Sequence, residues 1–110
     1  MIVKKLKYNN VKVEIDGFKF DSKKEAKRYG ELKLLVRCEL ISNLRLQVPY
    51  ELIPSQKGGL RKELPMSYKA DFVYVDNGKE VIEDTKGVKT ADYIIKRKLM
   101  KLNGHEIVEI

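Results

Sequence analysis

The dipeptide Asn77-Gly78 constrains the fold more than any other feature of the sequence. Both residue types accept a positive φ, so the pair favours a two-residue turn between antiparallel strands. The flanking runs, YKADFVYVD and KEVIEDTK, are rich in Val, Ile, Phe and Tyr, as strands are. This turn predicts a β-hairpin in which Asp76 pairs with Lys79 and each earlier residue pairs with the corresponding later one.

The same register places two pairs of like charges opposite each other, Asp71 with Asp84 and Lys69 with Lys86. Directly opposed Cβ atoms are about 5 Å apart, and like charges there are destabilising. Two carboxylates about 4 Å apart repel by roughly 4 kcal/mol at an effective dielectric near 20. Exposure to water, a shared proton or a divalent cation would each relieve that repulsion. Mg²⁺ takes oxygen ligands and commonly uses one or two protein carboxylates, so a metal site is one of three alternatives.

Lys86 favours the metal alternative. It lies two residues after Asp84, on the same predicted face and about 6–7 Å along the strand. An ammonium group there would orient an attacking water or neutralise charge on a phosphate in a transition state. A solvated edge hairpin with ordinary surface charges is the competing interpretation. The apolar residues on both faces of the hairpin favour burial instead.

The rest of the chain alternates between strand-like and helix-like patterns. VKVEIDGFKF predicts a first β-hairpin that turns at Asp16-Gly17. Residues 44–53 predict a strand before the central hairpin, and residues 105–110 predict a final strand. The order is hairpin, helix, three strands, helix and strand. It predicts a single α/β domain over residues 1–110, with a central mixed sheet flanked by helices.

Two helices carry recognisable ends. The first follows a cap at Asp21 or Ser22, and the second follows Thr90 and ends at Asn103-Gly104. Cys38 is expected in the core at the end of the first helix, and His105 is expected to be structural. Apolar residues at helical spacing predict the buried sides, namely Ala26, Tyr29, Leu32 and Val36 in the first helix and Ile95, Leu99 and Leu102 in the second.

Charge and cysteine content narrow the class of partner. The formal net charge of +7 favours encounter with polyanions, of which nucleic acid is the commonest. The single cysteine excludes an intramolecular disulfide and suits a reducing cytoplasm, and no apolar run approaches the roughly 20 residues of a membrane span. The N-terminus lacks the apolar core of a secretory signal. The loop over residues 54–65 is basic, and either closes over phosphates or is an ordinary solvated connection.

These residues together resemble the PD-(D/E)xK nuclease superfamily, which has an acid on one strand, acid-x-Lys on the next and a glutamate on the preceding helix. More narrowly, SKKEAKRYGELKLL, LQVPYEL, YKADFVY and DTKGVKTADYIIKRKLM resemble a family of small phage-encoded endonucleases related to Holliday-junction resolvases. The resemblance implies a restriction-endonuclease-like core and a Mg²⁺-dependent DNA endonuclease, with Mn²⁺ as a possible substitute. It also implies branched DNA as substrate, a homodimer, and the host cytoplasm as location.

Carried over position by position, the resemblance implies a catalytic set of four residues. Asp71 and Asp84 would be metal ligands, Lys86 the catalytic lysine, and Glu25 the helix-borne acid that contacts the metal or its water. Glu83 is an alternative ligand to Asp84, although Asp84 shares a face with Lys86. Glu25 also has an alternative role, because its position fits a capping box at the start of the first helix.

The predicted DNA contacts stay off the apolar stripe of the second helix. Lysines there would grip backbone phosphates, and the start of the helix attracts anions. A solvated basic face is the alternative interpretation. Two other functions also remain open, a non-enzymatic DNA-binding protein that kept the fold, and a nickase, flap or recombination nuclease. The predicted contact residues are Lys89, Thr90, Tyr93, Lys96 and Arg97, with Gln47 from the strand before the hairpin.

Overall fold

The computed structural model describes residues 12–85 and 88–110 and confirms the predicted order of elements. β1 and β2 form a two-stranded sheet, and the other four strands form a sheet in the order β3-β4-β5-β6. β6 runs parallel to β5 and the other neighbours are antiparallel, so the larger sheet is mixed. Neither of the described helices has the length and apolar character needed to cross a membrane. The elements are β1 (Val13–Ile15), β2 (Phe18–Phe20), α1 (Lys23–Arg37), β3 (Ser42–Ile53), β4 (Met66–Asp76), β5 (Lys79–Asp84), α2 (Ala91–Leu102) and β6 (Ile107–Glu109).

The central hairpin has the predicted register. Its pairs run from Asp76–Lys79 to Phe72–Glu83. The ladder therefore ends one position before the predicted pair of Asp71 and Asp84. The turn residues Asn77-Gly78 both have positive φ, at 56° and 79°. A turn of this kind matches the right-handed twist of the strands it joins, which is why a two-residue signal fixes a whole ladder.

The larger sheet separates two apolar cores. Phe72 and Tyr74 of β4 pack with α1 and the first hairpin, whereas Val73, between them, packs with α2. Successive side chains of a strand point to opposite faces, so β4 is buried on both sides. Phe72 is fully buried, and its truncation to Ala would cost about 3–5 kcal/mol.

α1 begins where the sequence predicts it. The Ser22 hydroxyl accepts a hydrogen bond from the Glu25 backbone N–H at 3.1 Å. The buried residues Ala26, Tyr29 and Leu32 confirm three of the four predicted core positions. The predictions for Val36 and Cys38 are wrong, because the end of α1 borders an open groove and both residues are exposed.

α2 presents a different side to the sheet from the one predicted. Thr90 caps it and Gly104 ends it with a φ of 88°, as expected. However, the predicted stripe is wrong at two of its three positions, because Ile95 is 53% exposed and Leu102 is 80% exposed, whereas Leu99 is half-buried. A second set of apolar residues also has helical spacing and occupies the core instead, namely Tyr93, Ile94 and Met100.

At Gln47, which has a φ of 54°, the apolar side chains of β3 switch from one face of the sheet to the other. Before it, Leu44 and Leu46 pack in the core of α1. Beyond it, alternate residues pack in the core of α2. A non-glycine residue at positive φ interrupts the regular alternation of a strand. Residues 48–70 therefore form an arm of two paired strands and a loop, with one face against α2 and the other face away from it.

Candidate active site

Glu25 of α1 and Asp71 of β4 come together at the base of this arm. The Glu25 side chain is buried, with only 4% of the residue exposed. Its Oε1 accepts a hydrogen bond from the Asp21 backbone N–H, and its Oε2 accepts one from Nε2 of Gln47, each at 3.1 Å. Burial, and next the negative charge of Asp71, raise the pKa of Glu25 to about 7. The two carboxyl groups are therefore close enough that a negative charge on Asp71 disfavours ionisation of Glu25.

Both roles considered for Glu25 are present in the structure. The Ser22 hydroxyl makes one half of a capping box. The other half is displaced by one residue, because Glu25 reaches the N–H of Asp21. One carboxylate oxygen thus fixes the start of α1, and the other lies towards Gln47. The cap orients the side chain rather than removing it from the site.

Thr85 holds Asp71 in place. The backbone N–H and the hydroxyl of Thr85 both donate to Oδ2 of Asp71, each at 2.8 Å. Thr85 directly follows β5 and occupies the middle position of the acid-x-Lys pattern. Thr85 was not among the site residues predicted from the sequence. Its position in that pattern is the signal that could have identified it.

Asp84 lies on the side of the sheet that faces α2. It is buried, and its Oδ2 accepts a hydrogen bond of 2.6 Å from the Tyr68 hydroxyl. Burial, and then this hydrogen bond, raise the pKa of the Tyr68 phenol well above its usual range. Burial, and then a hydrogen bond to Glu109, raise the pKa of Tyr93, and the charge of Asp84 adds to that rise. Tyr68 is a second site residue that was not predicted from the sequence.

Glu83 points to the opposite side and is fully engaged there. Arg28 binds it with two hydrogen bonds, from Nε to Oε1 at 2.8 Å and from Nη2 to Oε2 at 2.6 Å. The Tyr74 hydroxyl donates a further, short hydrogen bond to Oε2. This paired, buried carboxylate is a structural link between α1 and β5. Of the two adjacent acids, Asp84 is therefore the better candidate ligand.

The acids do not form one three-membered cluster. Across residues 12–85 and 88–110, no three His, Cys, Asp or Glu side chains meet in a group able to hold a metal ion. The candidate site consists of the Glu25–Asp71 pair, with Asp84 on the neighbouring strand. Two adjacent carboxylates are a donor set that suits Mg²⁺ or Mn²⁺, which keep several waters and use few protein ligands. Lys86 lies outside the described residues.

Two of the predicted DNA contacts, Thr90 and Tyr93, stabilise the fold. The Thr90 hydroxyl caps α2 by accepting from the Tyr93 backbone N–H at 3.1 Å. The expectation that Tyr93 stands off the buried side of α2 is wrong, because only 2% of it is exposed. Its hydroxyl donates to Glu109 of β6 at 2.6 Å. The ring therefore fixes α2 against the sheet and is not displayed to a ligand.

The predicted basic contacts on α2 and just before it lie at the surface and are paired with acids. Arg97 contacts Glu109 at 3.1 Å, and Lys89 contacts the same carboxylate at 3.6 Å. Lys96 lies 3.6 Å from Asp92. Gln47, the remaining predicted contact, is exposed at the backbone turn of β3 and its amide reaches Glu25.

Comparison with known proteins gives one match. No curated protein matches the chain, and no solved structure matches it. A family model described as "Protein of unknown function (DUF1064)" matches residues 5–109. Because this match spans nearly the whole sequence, the chain belongs to the DUF1064 family.

Proposed function

We propose that this protein is a divalent-metal-dependent DNA endonuclease of the PD-(D/E)xK type that cuts branched DNA. The observation that carries the proposal is the meeting of Glu25 and Asp71, an acid from the first helix and an acid from the second strand of the large sheet. The next strand ends with Asp84, two residues before Lys86. This arrangement matches the order of acids and lysine in the nuclease superfamily that the sequence resembles.

Each acid has a residue that orients it. Thr85 fixes one oxygen of Asp71, Tyr68 fixes one oxygen of Asp84, and the cap of α1 fixes one oxygen of Glu25. Preorganised charged groups of this kind cost little reorganisation during a reaction. A bound Mg²⁺ would stabilise charge on the phosphate and lower the pKa of a bound water. Lys86, in the proposal, orients the attacking water or neutralises the departing charge.

The substrate and assembly follow from the same resemblance. A junction enzyme recognises DNA by its backbone and shape, so basic side chains would contact phosphates. Symmetric cutting of two strands calls for two sites, so the acting form would be a homodimer. The single cysteine is consistent with action in the cytoplasm of a host cell.

The test is cleavage of an end-labelled four-way junction beside a linear duplex of the same sequence. Wild type and Asp84→Asn are compared in Mg²⁺ and in EDTA. The proposal predicts paired cuts in the junction that require Mg²⁺ and disappear in the variant. Equal cutting of the linear duplex would indicate a nickase or another nuclease instead.

The second candidate is a DNA-binding protein that kept the nuclease fold. The net charge of +7 supports binding without chemistry. This candidate predicts salt-sensitive DNA binding that Mg²⁺ does not strengthen, and no cleavage with Mg²⁺ or Mn²⁺.

A further inference from the structure

The basic residues of the molecule differ in whether acids neutralise them. Lys96, Arg97 and Lys101 of α2, and Lys89 just before it, each lie within 4.0 Å of a carboxylate, whereas Lys98 of α2 forms no ion pair within the described residues. A second set, at the start of α1 and in the arm, forms no ion pair with any residue in the described ranges 12–85 and 88–110. We call this set the cationic strip, and its members are Lys23, Lys24, Lys27, Lys57, Lys62 and Lys69.

One end of the strip flanks the candidate active site. Lys24 immediately precedes Glu25 on α1, and both Lys24 and Lys69 are exposed. Lys69 lies two residues before Asp71 on β4. Its strand neighbour Ala70 packs in the core of α2, so Lys69 points away from that core. Unneutralised positive charge therefore borders both acids of the site.

The other end of the strip lies far along the arm. Ile53 lies six residues beyond Gln47, which corresponds to about 20 Å at 3.3 Å per residue. Two backbone hydrogen bonds between Gln56 and Glu63 continue the pairing into the loop, at 2.9 and 2.8 Å. Lys57 and Lys62 lie inside this bridge, so charge extends beyond the strand ends. The strip thus approaches the length of one turn of B-form DNA, about 34 Å.

We propose that the cationic strip is the docking surface for double-stranded DNA, with one phosphate backbone running from the acids along the outer face of the arm. This inference rests on the proposed function and deepens it. It assigns phosphate binding to the basic loop over residues 54–65. It also implies that α2 contributes little to DNA affinity. Free lysines attract phosphates without first breaking an ion pair, and each contact releases counterions.

The experiment measures affinity for a fluorescent linear duplex by anisotropy, in EDTA and at several salt concentrations. The test variant is Lys57→Ala/Lys62→Ala/Lys69→Ala. The matched control is Lys96→Ala/Lys98→Ala/Lys101→Ala, which removes the same charge from α2. We expect at least a tenfold loss of affinity for the test variant and a salt slope smaller by about 3. The control should lose less than threefold.

Several results would overturn the inference. They are equal losses in both variants, a larger loss in the control, wild-type affinity in the test variant, or no binding by wild type. Equal competition by an RNA duplex would show that the surface does not select DNA. Thermal unfolding checks that both variants fold. EDTA prevents metal-dependent cleavage, so this assay measures binding alone. If the protein binds DNA through the cationic strip but does not cleave it when Mg²⁺ is added, the endonuclease proposal is wrong and the proposed docking surface is still supported.

Discussion

Replacing Glu25 with Gln should stabilise the metal-free protein at high pH. The pKa of Glu25 is about 7 in the folded chain, against an ordinary value of 4.5. Below pH 4.5 the carboxyl is protonated in both states, so its contribution to folding is fully present. Between pH 4.5 and 7 the unfolded chain loses the proton first, so stability falls as pH rises.

The size of the effect follows from the same pKa values. A difference of one between two pKa values corresponds to about 1.4 kcal/mol, so the rise from 4.5 to about 7 makes the charged Glu25 cost about 3.5 kcal/mol above pH 7. Glu25→Gln removes that charge and keeps an oxygen able to cap α1. We expect the variant to exceed wild type in the free energy of unfolding by about 3 kcal/mol at pH 8, and to match it near pH 4.5.

The assay is urea denaturation in EDTA at pH 4.5, 6 and 8. Glu51→Gln is the matched control, because Glu51 is exposed on the arm and forms no ion pair within the described residues. It should shift stability by less than about 0.5 kcal/mol at every pH. A Glu25→Gln variant that is less stable than wild type at pH 8, by a pH-independent amount, would refute the reasoning and leave Glu25 as a helix cap alone.

Three further predictions concern the surroundings of the site. Arg28→Ala should lower the free energy of unfolding by about 3–5 kcal/mol in urea denaturation, because it leaves the buried Glu83 unpaired; a loss below about 1 kcal/mol would contradict the link between α1 and β5. Mg²⁺ at 100 times its dissociation constant should stabilise wild type by about 2.7 kcal/mol in thermal unfolding. Asp71→Asn should lose most of that gain, and an equal gain would place the metal elsewhere. Tyr93→Phe should cost about 1 kcal/mol through its lost hydrogen bond and leave DNA affinity unchanged; weaker binding would restore Tyr93 as a DNA contact.

Local signals in the sequence predicted local structure well. The Asn77-Gly78 turn gave the register of the central hairpin because a two-residue turn admits few strand pairings. The caps at Ser22 and Thr90 were equally readable, because each hydroxyl bonds a backbone N–H only three residues away. No local signal predicted that the charge of Asp71 would act on Glu25, and only the family resemblance had placed the two residues in one site.

Features set by distant residues could not be read in the same way. α2 carries two overlapping apolar stripes, and only packing against the sheet selects Tyr93 and Met100 over Ile95 and Leu102. The choice between the two adjacent acids of β5 depends on Arg28, which is 55 residues from Glu83. The positive φ of Gln47 has no signature in its residue type.

The most direct test of the central claim is single-turnover cleavage of labelled four-way junction DNA with Mg²⁺. Wild type is compared with Asp71→Asn and with Asp76→Asn, a matched change at an exposed position of the same strand. The account predicts cleavage by wild type and Asp76→Asn, and a rate lower by about 100-fold or more in Asp71→Asn. Equal rates in all three proteins, or no cleavage by wild type with either Mg²⁺ or Mn²⁺, would contradict it.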